Sequence, residues 1–181
     1  MSTEAKISGV RLIKHDVHQD CRGSFAKLFH PADFSWTSSE NFKAREGFMS
    51  WSNPGVIRGM HFQAPPADHD KLVSCLAGSV LDVVLDLRQS SPTYGQVVSF
   101  ELSGERPSSV WIPKGCAHGF MVLGDERALL HYTVSAEHDS SADGGVRWDS
   151  FGFNWPILSR PVVSVRDQSL PAFADLPKLF A

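Results

Sequence analysis

The sequence predicts an all-β fold, a sandwich or barrel with a few short helices, on three observations. Between Phe48 and Thr133 the chain breaks into short runs rich in Val, Leu, Ile and aromatic residues. Turn formers separate the runs: Asn53-Pro54-Gly55, Pro65-Pro66, Ala77-Gly78, Ser91-Pro92-Thr93 and Pro113-Lys114-Gly115. Helical patterning is scarce in the same region. Gly reaches positive φ at no steric cost and Pro removes a ladder donor, so this punctuation ends strands.

Taken in order, the runs KLVSCLAG from Lys71, SVLDVVLDLR from Ser79, GQVVSFELSG from Gly95, SSVWIP from Ser108 and ALLHYTVS from Ala128 have strand length. Their spacing suits a closed or two-layered sheet. Ser, Pro and Asp supply helix start and stop signals in Pro31 to Asn41 and in Leu170 to Ala181, where short helices are expected. No repeat, low-complexity stretch or linker divides the 181 residues, so one domain over 1–181 is expected.

Composition bounds the function. A hydrophobic share of 42% and a charged share of 20% are ordinary for a globular chain. The formal charge of -3, with no dense basic stretch, gives no electrostatic reason to expect nucleic acid or an anionic membrane, which leaves a small ligand as the expected partner. No apolar run approaches the roughly 20 residues a bilayer requires, and MSTEAKISGV has no apolar signal core, so a cytoplasmic protein is expected. Cys21, Cys75 and Cys116 are odd in number and lack CxxC spacing, which reads as three reduced packing residues.

Five ionisable or phenolic residues fall inside the β-rich region: Arg58, His61, Lys71, His118 and Tyr132. Each alone has a structural explanation. Together they suggest a barrel that holds a ligand, because buried charge is costly unless paired or used. In SVLDVVLDLR, Asp82 and Asp86 share one face of a strand and Val83 and Leu85 the other. An interior face would let the aspartates orient a histidine or lysine; an outer face would leave them solvated.

Pro113-Lys114-Gly115-Cys116-Ala117-His118 matches the PxGxxH part of the second cupin motif, in which a turn at Gly delivers His into the barrel. Metal-binding cupins supply HxH from the first motif, because transition metals need several converging imidazole or carboxylate donors. Here the counterpart is His61-Phe62-Gln63, and Val122 stands where the second motif usually ends in Asn. A metal site is therefore not expected.

Beyond these motifs, the stretches DCRGSF, GVIRGMHFQAPP, KLVSC, GSVLDVVLDLRQSSPTYGQ, LSGERPSSVWIPKGCAHGF, RWDSFGFNWP and VSVRD run in order from Asp20 to Asp167. In these the chain resembles the dTDP-4-dehydrorhamnose 3,5-epimerases. The resemblance implies a cupin-type β-sandwich barrel (jelly roll) and a homodimer with an exchanged N-terminal strand. It also implies no metal or redox cofactor, and a nucleotide-diphosphate 4-keto-6-deoxysugar as substrate. It assigns His61 as base, Asp167 as the carboxylate orienting it, Tyr132 as acid and Lys71 as stabiliser of the enolate. Arg58, His118 and Arg22 would hold the sugar or diphosphate, with Lys27, Glu46, Asp143 and Arg166 as further substrate-binding positions.

The chain departs from this pattern at three places: Lys27 stands where the family usually has Glu, Glu46-Gly47-Phe48-Met49-Ser50 replaces QxNxS, and Glu137-His138 replaces a Tyr five residues after Tyr132. The first two leave the nucleotide open, and the third leaves open whether carbon 3 alone or carbons 3 and 5 are epimerised. Two other functions remain: a metal-dependent cupin such as a dioxygenase, using His61, His118 and Gln63, and a non-catalytic nucleotide-sugar binding module.

Overall fold

The computed structural model describes residues 2–30, 42–157 and 160–180. In chain order the strands are β1 Ser2–Glu4, β2 Arg11–Lys14, β3 Val17–Asp20, β4 Gly23–Ala26, β5 Glu46–Ser52, β6 Ile57–Gln63, β7 Lys71–Ala77, β8 Ser79–Asp86, β9 Val97–Ser103, β10 Ser108–Ile112, β11 Cys116–Leu123, β12 Ala128–Val134 and β13 Asp143–Gly145. One helix, α1 Val165–Gln168, and a 3-10 turn, Phe173–Asp175, follow. All five runs read from the sequence form strands. The helix expected in Pro31–Asn41 lies outside the described residues. Of the one expected in Leu170–Ala181 only the 3-10 turn is present among the described residues, and the α-helical turn lies just before it.

Antiparallel pairing builds a six-stranded sheet, β1-β2-β10-β7-β12-β5, and a five-stranded sheet, β13-β6-β11-β8-β9. Their facing sides make the main core, where Val73, Val80, Val84, Val110, Phe120 and Leu130 are buried together. A side chain the size of Phe120 contributes roughly 2–3 kcal/mol by leaving water. A second core covers the back of the five-stranded sheet, where Val83, Leu85, Met60 and Phe62 meet Trp155 and Phe180 of the C-terminal segment. This arrangement is the cupin-like β-sandwich, and it settles the two aspartates of β8. Val80 and Val84 face the inner core and Val83 and Leu85 the back, so alternation sends Asp82 and Asp86 inward.

The two aspartates nevertheless serve different ends. Asp86 sits at the strand terminus, where its carboxylate accepts from the Arg88 guanidinium at 2.8 and 2.9 Å and from the Ser91 and Thr93 hydroxyls at 2.7 Å each. Burial works against its ionised form, but these bonds prevail and hold its pKa below the usual carboxylate value. It is a structural lock. Asp82 lies deeper, against His118.

β3 and β4 form a separate exposed hairpin. Cys75 and Cys116 are buried thiols, whose pKa values burial pushes up to about 11 and about 12. Cys21 is the correction: it lies exposed at the hairpin turn and packs no core.

Candidate active site

Strict alternation would send Arg58 and His61, three residues apart on β6, to opposite faces. The register prevents this. His118 of β11 lies opposite His61 and Phe120 opposite Arg58, so three steps on β6 match two on β11. The extra residue is a β-bulge, which turns both side chains to the same side. It depends on Gly59, whose φ is +108° and where a Cβ would stand 2.6 Å from the Gly119 Cα and 2.7 Å from the His118 carbonyl oxygen. At the near end of β11, Gly115 at φ +82° makes the turn that sends the strand, and His118 with it, into the sandwich.

These devices open a cavity of about 270 Å³ between the sheets. Of the candidate residues, Glu46, Arg58, His61, Lys71, His118, Tyr132, Asp143 and Arg166 line it. Asp167 stands directly behind His61. Arg22 and Lys27 are elsewhere: Arg22 is in the turn of the exposed hairpin, where it pairs with Asp20 at 2.6 Å, and Lys27 is exposed just after β4.

The His61–Asp167 pair joins distant parts of the chain. Asp167 lies in α1, whose first turn is capped by the Ser164 side chain accepting from the Asp167 N–H. Only 3% of it is exposed, so it is no solvated acid near a chain end. Its Oδ1 lies 2.7 Å from His61 Nε2 and its Oδ2 accepts the buried Gly59 N–H at 3.0 Å. Burial raises its pKa, but the His61 hydrogen bond, the Gly59 N–H and the Arg166 charge outweigh that and hold it below the ordinary value. A carboxylate only accepts, so it fixes the proton of the imidazole on Nε2 and leaves Nδ1 with a free lone pair.

Tyr132 projects from β12 of the six-stranded sheet, while His61 belongs to the five-stranded one, so the two meet the cavity from opposing walls. Phe48 stacks on the phenol ring at 4.7 Å and Ser50 Oγ lies 3.3 Å from its oxygen. Burial pushes the phenol well above its ordinary pKa, against the Ser50 bond and the Arg58 charge, so it stays a proton donor at neutral pH.

Lys71 opens β7 beside them. Burial lowers its pKa to about 8, although Asp82 and Asp143 favour its charge. Arg58 Nε donates to Ser52 Oγ at 2.9 Å, and Arg166 reaches Asp143 at 2.7 Å across the mouth. Glu46 accepts the His138 backbone N–H at 2.8 Å, which ties the departing residue His138 to the cavity rim.

Sequence reasoning did not single out Phe48 and Ser50 as partners of Tyr132, or His69 as a lining residue whose pKa burial and the Lys71 charge push down to about 4. The β5–β12 register that sets Phe48 opposite Tyr132 leaves no local signal. Gln63, a weak candidate ligand, has its amide fully engaged: it donates to the Ala67 and Glu137 carbonyls and accepts the Asp139 N–H. Among the described residues no three His, Cys, Asp or Glu side chains converge as a metal site would require.

The chain as a whole has relatives among known proteins. Residues 4–175 match the family described as dTDP-4-dehydrorhamnose 3,5-epimerase. The enzyme of that name from Sinorhizobium fredii is 38% identical over 176 residues, covering 96% of this chain and 90% of the relative. The corresponding epimerase of Legionella pneumophila, solved with dTDP-4-keto-L-rhamnose, superposes with a TM-score of 0.92 at 29% identity, covering 99% of this chain and 97% of that one. A 3'-monoepimerase from Streptomyces bikiniensis, solved with dTDP-quinovose, gives 0.88 at 28% identity, covering 94% and 86%. The motifs, the two-sheet sandwich and these matches along nearly the whole length agree: the chain belongs to the dTDP-4-dehydrorhamnose 3,5-epimerase family.

Proposed function

We propose that this chain is an isomerase that epimerises a nucleotide-linked 4-keto-6-deoxyhexose beside its ketone, at carbons 3 and 5 or at carbon 3 alone. The observation that carries the reading is the placement of His61, backed by Asp167, on one wall and Tyr132 on the other. His61 Nδ1 takes the hydrogen from carbon as a proton. The C–H electrons move to the ketone oxygen and form an enolate, and the imidazolium rests on the Asp167 carboxylate. The Lys71 ammonium stabilises the enolate oxygen. Tyr132 then gives its proton to the opposite face of the carbon, the C=O reforms, and the cycle closes as Tyr132 takes a proton from solvent and the His61 imidazolium releases one to it.

Arg58 and Arg166 supply positive charge for the diphosphate at the cavity, with Asp143 and Glu46 shaping its mouth. Arg22 and Lys27 serve through a homodimer, in which the N-terminal segment of one subunit reaches the cavity of the other. Two features support it: the β3–β4 hairpin pairs with neither main sheet, and the β5 side of the six-stranded sheet exposes Met49 (65%), Trp51 (44%) and nearby Leu76 (41%). We further propose that the protein works in the cytoplasm; no helix among the described residues is long and apolar enough to cross a membrane.

The test is incubation of chelator-treated protein with dTDP- and CDP-linked 4-keto-6-deoxyglucose in deuterated water, followed by NMR. Deuterium is expected at carbon 3, with or without carbon 5, and one nucleotide is expected to be preferred. No exchange at either carbon with either substrate refutes the reading, and turnover that returns only with iron, manganese or zinc favours a metal-dependent cupin.

A further inference from the structure

The proposed mechanism leaves Asp82 without a part and the Lys71 ammonium without a partner. Asp82 on β8 is fully buried; its Oδ2 lies 2.7 Å from His118 Nε2, but its Oδ1 is the single buried side-chain nitrogen or oxygen atom among the described residues with no hydrogen-bond partner. A buried carboxylate oxygen without a donor is costly, and each such orphan asks for an explanation. Lys71 presents the converse. It reaches the cavity from the facing sheet, and its ammonium makes no hydrogen bond or ion pair among the described residues. Asp82 is the strongest of the charges that favour its protonated form.

Resting on the epimerase reading, we propose that Asp82 is a positioning residue: one carboxylate oxygen holds the His118 ring and the other is reserved for the Lys71 ammonium, which it keeps charged and in place for the ketone oxygen. An acceptor-only carboxylate fixes the His118 proton on Nε2, so the neutral ring presents Nδ1 to the cavity as an acceptor. That suits a sugar hydroxyl better than the diphosphate.

The other groups facing Lys71 do not replace Asp82. Asp143 on β13 also favours its charge but is already bound to Arg166 of α1. Glu46 on β5 holds the His138 N–H. Arg58 and His61 on β6, His118 on β11 and His69 in the loop before β7 are neutral or positive and give no support to a second positive charge.

The test compares wild type with Asp82→Asn, which keeps the shape and an oxygen for His118 but removes the charge. Lys71 is titrated in the substrate-free protein by NMR of 13C-labelled lysine, its signal identified by its loss in Lys71→Gln. The wild-type midpoint near 8 is expected to fall by about one pH unit or more in Asp82→Asn, and the alkaline limb of kcat/KM for deuterium wash-in to fall with it. Asp82→Glu, which restores the charge, should return the midpoint toward the wild-type value. A folded Asp82→Asn with an unmoved midpoint overturns the proposal, as does a loss of wash-in that is equal at every pH. Should Asp82→Asn fail to fold, Asp82→Ser is titrated in the same way with the same two outcomes. The lysine titration needs no substrate, so it judges Asp82 separately from the epimerase reading, which stands or falls on deuterium exchange in the wild type.

Discussion

Replacing Asp167 by Asn is expected to damage exchange and stability together, because the native carboxylate accepts two donors at once. Its oxygens receive His61 Nε2–H at 2.7 Å and the buried Gly59 N–H at 3.0 Å. Asn offers one acceptor oxygen and one NH2 group, so one of the two donors must face another donor. If the NH2 turns to Gly59, a buried N–H loses its partner, at about 1–3 kcal/mol. If it turns to His61, the imidazole adopts the other tautomer, Nδ1 carries the proton and the base is lost. Either way the imidazolium loses a hydrogen bond to a charged group worth about 1.5–3 kcal/mol, or roughly a 10- to 150-fold fall in kcat/KM. The tautomer change would enlarge that fall.

The assay is deuterium wash-in at carbon 3, with a thermal melt of each protein and His61→Ala as the reference for a lost base, about 100-fold or more. The stability difference has a definite sign with pH. The folded Asp167 carboxyl is held below its ordinary 3.8, so its contribution is complete above that value and is lost as pH falls through the lower folded one. Wild type and variant should therefore converge in acid. Wild-type exchange rates in a folded Asp167→Asn would refute the proposed dyad.

Three further outcomes are expected. Tyr132→Phe should lose epimer formation far more than wash-in at carbon 3, since the enolate still forms and is reprotonated by His61 on the face it left; equal losses would mean that Tyr132 acts in enolate formation. Lys71→Met should abolish exchange yet raise Tm at pH 7, because the folded site disfavours the ammonium; stability of the wild type should climb between pH 8 and about 10.5 as the unfolded chain binds the extra proton, closing the gap, and a lower Tm for the variant at pH 7 contradicts this. Gly59→Ala should lower Tm by more than about 5 °C and remove exchange, because the bulge cannot hold a Cβ; an unchanged melt would show that β6 and β11 separate at little cost.

Much of the sandwich was legible because strand signals are local. Alternation and turn residues marked five strands that the structure contains, and Arg58, His61, Lys71, His118 and Tyr132 stood out because ionisable or phenolic groups inside a β-rich stretch are expensive to bury unless paired or used. All five line the cavity. Asp167 was a candidate only through the family resemblance, since it lies 106 residues from His61 and nothing local distinguishes it from a solvated acid. Arg22 and Lys27 entered the same way and lie away from the cavity of this chain, in the hairpin turn and just after β4.

The sequence by itself determined the β-rich class, the strand positions and the kinds of side chain available for proton transfer, because these follow from residue type and spacing along the chain. Only the tertiary structure decided which of them meet. An extra residue in β6 set Arg58 beside His61, the packing of two sheets turned Asp82 inward against His118, and the return of α1 to β6 buried Asp167 against the His61 imidazole. Each depends on register and on contacts between segments far apart in the chain, and a one-residue change of register exchanges the faces of a strand without altering its pattern of residues.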